Sequence, residues 1–123
     1  MASRDPQELT DEMQRIFALF KDEMIKAGVD FIVTCTYRSQ IEQEALWAKG
    51  RTQPGPIVTW TRASKHTERK AFDIALVVDG KITWATKDYL LPGKIAMKLG
   101  LDWGGAWARA KDYPHFQYKE PNA

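Results

Sequence analysis

The chain is poor in the residues that most often build metal and disulfide sites: among 123 residues it has one cysteine, Cys35, and two histidines, His66 and His115. A single cysteine excludes an internal disulfide framework and a cysteine-rich zinc module. Any bound metal must therefore be held by histidines and carboxylates. No apolar run approaches the length of about 20 residues that a membrane span requires. The start, MASRDPQELTDEM, has no apolar stretch after Arg4 and does not read as a secretory signal, so synthesis in the cytoplasm is expected. Repeats and low-complexity tracts are also missing. Net charge is small, 18 Lys plus Arg against 16 Asp plus Glu, or +2, which is too little to argue for nucleic acid.

What is present is an ordinary globular composition, 44% hydrophobic and 28% charged, which excludes a disordered or fibrous chain. A chain of this size is expected to form one domain, residues 1–123, with a real core. The charge is uneven. Residues 1–30 carry four basic and seven acidic side chains (−3), and the remaining 93 carry 14 and 9 (+5). A basic body suits an anionic polymer, and bacterial cell wall qualifies as readily as nucleic acid.

Leu9, Met13, Ile16, Phe17, Phe20 and Met24 recur at helical steps, which predicts a helix over 6–27, opened by Asp5-Pro6 and stopped by Gly28. The β-branched, apolar run 30–36 predicts a buried strand. Ser39 with Glu42 is a capping-box pattern opening a short helix through Trp47, closed by Gly50. Residues 51–62 read as a long loop. A strand over 71–78 turns at Asp79-Gly80 into 81–84. A helix is expected to start at Pro92 and run to Leu99, followed by a loop over 103–114 and a last strand over 115–118. These elements predict an α+β fold, a small mostly antiparallel sheet flanked by helices.

Both histidines fall beside predicted strands. Alternation over 71–78 puts Ala71, Asp73, Ala75 and Val77 on one face and Phe72, Ile74, Leu76 and Val78 on the other. Asp73 is thus a carboxylate in an otherwise apolar strand, and it needs a cation, a metal or a hydrogen-bond cage. If the two strands are neighbours, His66, Asp73 and His115 converge on one side of the sheet. Two imidazoles and a carboxylate with an open fourth position make a catalytic zinc set. Asp112, three residues before His115, stands within reach of a water at such a site. An ion pair for Asp73 and ordinary packing for the histidines are the alternatives that spacing leaves open.

The run Ser64-Lys65-His66-Thr67-Glu68-Arg69-Lys70-Ala71-Phe72-Asp73 resembles the S-x-H-x-x-G-x-A-x-D signature of zinc D-Ala-D-Ala carboxypeptidases and L-alanyl-D-glutamate endopeptidases. These are VanY-type peptidases with many phage endolysins among them, of the hedgehog/DD-peptidase fold. Thr36-Tyr37-Arg38-Ser39, Gln43, Leu46-Trp47, Gly50-Arg51-Thr52, Pro54-Gly55 and Ile57-Val58-Thr59 resemble another stretch of that family. Trp103-Gly104-Gly105 and Asp112-Tyr113-Pro114-His115-Phe116 resemble its W-G-G and D-x-P-H-F elements, so the likeness covers about residues 30–118 in order. Two positions depart from it: the signature glycine is Arg69, implying a locally altered turn, and the residue after W-G-G, commonly Asp, is Ala106.

The resemblance implies His66, Asp73 and His115 as ligands of Zn2+, Asp112 as general base, and Arg38 as the cation for a substrate carboxylate or developing oxyanion. Ser64 is implied to position a ligand or the substrate, or only to cap its turn, and Trp103, Trp107 and Tyr113 to wall the cleft, or only to fill the core. The function it implies is hydrolysis of the peptidoglycan stem peptide, as an L-alanyl-D-glutamate endopeptidase of endolysin type. Such an enzyme reaches the wall after holin-type release and is expected to act as a monomer, with no nucleic acid and no membrane span. The alternatives are a D-Ala-D-Ala carboxypeptidase of the same fold and a non-catalytic, zinc-binding hedgehog-like module.

Overall fold

A computed structural model describes residues 2–121; Met1, Asn122 and Ala123 of the expected domain lie outside the described residues. Five strands, β1 (Asp30–Cys35), β2 (Ala71–Val78), β3 (Lys81–Thr83), β4 (Leu101–Trp103) and β5 (His115–Tyr118), form one sheet. Its order is β1-β2-β5-β4, with β3 paired to β2, and every pairing between strands is antiparallel. Three α-helices accompany it: α1 (Asp11–Lys26), α2 (Gln40–Ala48) and α3 (Leu90–Lys98). The α+β expectation holds. None of the helices among the described residues is long and apolar enough to cross a membrane.

The core lies on one side of the sheet. Phe72, Ile74 and Leu76 of β2 and Phe116 of β5 meet Met13, Phe17, Phe20 and Met24 of α1. The rings of Phe20, Phe72 and Phe116 lie 5.2–5.4 Å apart, centroid to centroid. Each such side chain, fully buried, contributes about 1.5–3 kcal/mol. Alternation along β2 sends these residues into the core and turns Asp73 to the opposite side. There the register places Asp73 directly across from His115 of β5 and, after a bulge between Val33 and Cys35, across from Cys35 of β1.

The helix expected over 6–27 is two pieces. Asp5 caps a short 3-10 turn, Pro6–Glu8, and Thr10 caps α1 by accepting from the Met13 amide. Between them Leu9 is extended and buried, so the chain breaks to place that side chain in the core. The third helix starts at Leu90, ahead of the expected Pro92, after a 3-10 turn over Thr86–Tyr89. Pro92 sits in the first turn, where its missing N–H has no intrahelical partner to lose. Strand β4 lies in a stretch given no strand from sequence, and β3 ends at Thr83. The capping box at Ser39 and Glu42 forms as expected.

Candidate metal centre and groove

His66 is held by a compact turn rather than by a strand. The Ser64 hydroxyl accepts from the His66 amide, and the Thr67, Glu68 and Arg69 amides donate to the carbonyls of Ser64, Lys65 and His66. Arg69 has φ 63°, the left-handed conformation that glycine favours, so the expected alteration of the turn is not seen at this residue. The cost of that backbone is about 1–2 kcal/mol. Arg69 is held there by contacts a glycine could not make: its guanidinium pairs with the Glu8 carboxylate and lies 3.9 Å from the Tyr37 ring. Its carbonyl accepts from the Thr10 amide. Nearby, Lys65 and Lys70 both reach Glu120, at 3.2 and 3.3 Å.

The three residues singled out from sequence come together. His66 Nε2 lies 3.1 Å and His115 Nδ1 2.8 Å from the same atom, Asp73 Oδ1. Each ring is anchored through its other nitrogen. His66 Nδ1 donates to the Thr36 carbonyl at 3.0 Å, and His115 Nε2 donates to Gln117 Oε1 at 2.8 Å. With the outer nitrogens protonated, the inner ones turn lone pairs towards an anionic oxygen. That arrangement calls for a cation between them, a proton or a metal. Two imidazole nitrogens and a carboxylate oxygen are the donor set of an open, catalytic divalent-metal site, so the residues fit such an ion.

Without metal the proton takes that place. Burial alone would lower the His66 pKa, but the Asp73 carboxylate and then the Cys35 thiol raise it to about 10. Burial would raise that of Asp73, but His115 and His66 together hold it far below the usual carboxylate range. Cys35 also belongs to the neighbourhood: one donor atom each from Cys35, His66 and Asp73 lie within 4.8 Å of one another. Its sulfur, however, is 3.6 Å from His66 Nδ1, the nitrogen already anchored on Thr36, and accepts from Arg38 Nη2 at 3.5 Å. A guanidinium at that distance opposes a metal on the thiol, which favours the side of the histidine that faces His115.

A groove of about 740 Å³ opens over this cluster, and Arg38, Ser64, Trp107 and Asp112 line it together with His66, Asp73 and His115. Asp112 has much of its surface exposed, yet the groove partly strips water from its carboxyl. That desolvation raises its pKa, opposed by the charge of His115 and reinforced by that of Asp73. Its loop is placed by Gly104: the Asp112 amide donates to the Gly104 carbonyl at 3.1 Å, and a Cβ on Gly104 would stand 2.2 Å from the Asp112 carbonyl oxygen. Arg38 donates to Gln43 Oε1 at 2.8 Å, which aims the guanidinium into the groove without an ion pair to Asp73.

Two residues expected to wall the cleft lie elsewhere. Trp103 is 5% exposed within the core, donates its indole N–H to the Tyr113 carbonyl and packs edge-on against the Tyr113 ring. Neither Trp103 nor Tyr113 lines the groove. A W-G-G run places its indole in the core because Gly93 and Gly105 leave room for the ring; a Cβ on either would fall 2.2–2.4 Å from it. Trp107, by contrast, lies 5.5 Å from His115, ring to ring, and donates to Asp102 Oδ1.

Sequence reasoning gave no role to the groups that support the imidazoles and Arg38. Thr36 offers its main-chain carbonyl, which carries no residue signature. Gln43 is fully buried between Arg38 and the carbonyl of Thr61. Gln117 stands two residues after His115, so strand alternation puts both on one face, which is the signal that identifies it, and Asp102 Oδ2 accepts from its amide at 3.4 Å.

The chain resembles known proteins in sequence and in fold. Residues 58–118 match the family described as D-alanyl-D-alanine carboxypeptidase. The chain is 41% identical over 102 residues to the peptidoglycan L-alanyl-D-glutamate endopeptidase CwlK of Bacillus subtilis (strain 168), an alignment covering 73% of this chain and 61% of that protein. The chain thus spans about three-fifths of the length of that curated relative. The fold is similar to that in the crystal structure of Serratia marcescens L-Ala D-Glu endopeptidase ChiX, with a TM-score of 0.73 and 23% identity, covering 97% of this chain and 89% of that one.

Proposed function

We propose that the chain, whose residues 58–118 match the model described as D-alanyl-D-alanine carboxypeptidase, is a zinc-dependent peptidase of the peptidoglycan stem peptide, cleaving between L-alanine and D-glutamate. The observation that carries this reading is the convergence of His66 Nε2 and His115 Nδ1 on Asp73 Oδ1 at the floor of a groove that also holds Asp112 and Arg38. The choice of endopeptidase follows CwlK, whose name states that cleavage.

His66, Asp73 and His115 would hold the ion, which when bound polarises a peptide carbonyl and makes a nearby water more acidic. Asp112 takes a proton from the attacking water at its carboxylate oxygen and later returns it to the leaving amine. Its raised pKa suits a group that must both accept and release that proton. Arg38 presents a planar, permanently charged fork to a substrate carboxylate or to the oxyanion that develops during attack. Gln43 holds that fork at 2.8 Å. The net basic charge beyond residue 30 attracts the anionic wall.

Mass spectrometry of the muropeptides released by the metal-loaded chain tests the reading. The expected products carry a new amino terminus on D-glutamate. Release of free D-alanine would instead assign the carboxypeptidase activity for which the matching family is named. Intact muropeptides would overturn both and leave a metal-binding module.

A further inference from the structure

Trp60 has no part in the chemistry above, yet it is the most exposed of the tryptophans for which exposure stands out, at 68%, and it lines the same groove as His66, Asp73 and His115. Its place in the groove lining is what sets it apart from an ordinary exposed side chain, because concave ligand sites are lined largely by aromatic and apolar groups. It is also held in place. Gln43 Nε2 donates to the Thr61 carbonyl at 2.7 Å, and Gln40 Nε2 donates to the Arg62 carbonyl at 3.0 Å, tying the loop to α2 on the far side of Trp60. Arg51 donates to the Thr59 carbonyl at 3.1 Å, with its guanidinium 3.5 Å from the Trp47 ring and 5.9 Å from the Trp60 ring. The ring is therefore presented on a braced loop, with little ordering left to be done on binding.

From this we propose that Trp60 forms a subsite for the glycan strand, stacking on the N-acetylated amino sugar that bears the stem peptide. The inference rests on the cleavage position given above. In peptidoglycan the L-alanine of the stem is amide-linked to the lactyl group of that sugar, so the bond to D-glutamate lies a single residue from it. An extended residue spans about 3.3–3.6 Å, so a scissile carbonyl over His66 and His115 brings the sugar into the same groove. The C–H face of a pyranose carries partial positive charge and meets the negative face of an indole, while its hydroxyl and acetamido groups stay in water. A substrate cut at its D-alanine end would keep its sugar several residues away and have no use for this ring.

Steady-state hydrolysis by the metal-loaded chain of two substrates separates the possibilities: the free stem peptide, and the same peptide linked to its disaccharide. Trp60→Ala is expected to raise KM for the disaccharide-linked substrate about tenfold, with hydrolysis of the free peptide changed less than twofold and Trp60→Phe restoring most of the loss. Equal effects on the two substrates, or no effect on either, would overturn the subsite. A titration of peptide-free disaccharide, followed by the indole N–H resonance that Trp60→Ala removes, reads the subsite without catalysis. If the wild-type chain cleaves neither substrate but the disaccharide shifts that resonance, the endopeptidase reading fails and the glycan subsite stands. If cleavage occurs and that resonance is unmoved, the reading stands and the subsite fails.

Discussion

At the scale of single residues, each imidazole of the centre is fixed twice, and the outer contact decides what the inner nitrogen can do. His115 depends on Gln117, whose amide is oriented in turn by Asp102. Supports of this kind are typically worth about 10–100-fold in metal affinity. Gln117→Ala is therefore expected to weaken zinc binding by about that factor in a chelator competition, while His66→Ala or His115→Ala abolishes binding at the site, since no third histidine exists. Asp112→Asn is expected to separate the two properties. Its zinc content should match the wild type, and kcat should fall by about 10²–10⁴, the range of a lost general base. Zinc loss in Asp112→Asn would instead mark that carboxylate as a ligand.

At the scale of elements, two backbone positions govern where the reactive side chains stand. Gly104 permits the Asp112 main chain to approach within hydrogen-bonding distance, and Gly104→Ala would drive a methyl group into the Asp112 carbonyl. Overpacking of this kind costs about 1–3 kcal/mol, and a thermal melt read beside kcat should show both stability and turnover falling. Arg69 is the complementary case. Arg69→Ala loses the Glu8 pair and the Tyr37 stack while keeping the left-handed backbone, for an expected loss of about 1–2 kcal/mol by denaturant unfolding. Arg69→Gly relieves the backbone as it loses the contacts, so the two changes nearly cancel. An Ala variant as stable as the Gly variant would refute this account.

The same elements explain what the sequence made legible. The β2 strand and its alternation could be read because a half-buried strand with period 2 leaves its core face in the residue types, and Asp73 broke that pattern. The capping box at Ser39 is local and could be read equally well. Thr10 could not compete with Asp5-Pro6 as a helix start because its claim rests on burying Leu9 and on a long-range bond to Arg69. Strand β4 exists through its pairing with β5, and three residues carry too little periodicity to announce it. At the site, the ionisable residues stood out by type. Thr36 and Gln43 stood out only through the resemblance and without a role, since a main-chain carbonyl and a buried amide acquire their roles only through tertiary contacts.

For the whole molecule, the metal-free centre links folding to pH. The pKa of His66 is 6.5 in its ordinary state and about 10 here, so its stabilisation is complete below 6.5 and is lost as pH rises towards 10. Asp73 shifts the other way from its ordinary 3.8, so its contribution is complete above that value and is lost as pH falls below it. The chelated protein should accordingly have its highest Tm between about pH 4 and 6.5 as far as this pair is concerned, declining towards pH 10. In Asp73→Asn that alkaline decline should flatten. A decline of the same steepness in both proteins would remove the pair as its cause.

One further consequence concerns mechanical load. Ser3 exchanges main-chain hydrogen bonds with Thr36 and Tyr37, and the Thr36 carbonyl holds His66. Near the other end Glu120 grips Lys65 and Lys70, which flank the same histidine. Tension applied across the two ends, as in a fusion strung between a surface and a partner, would load the 64–70 turn through these contacts as well as the sheet through β5. Such a load would strain the His66 turn from both of its anchors at once.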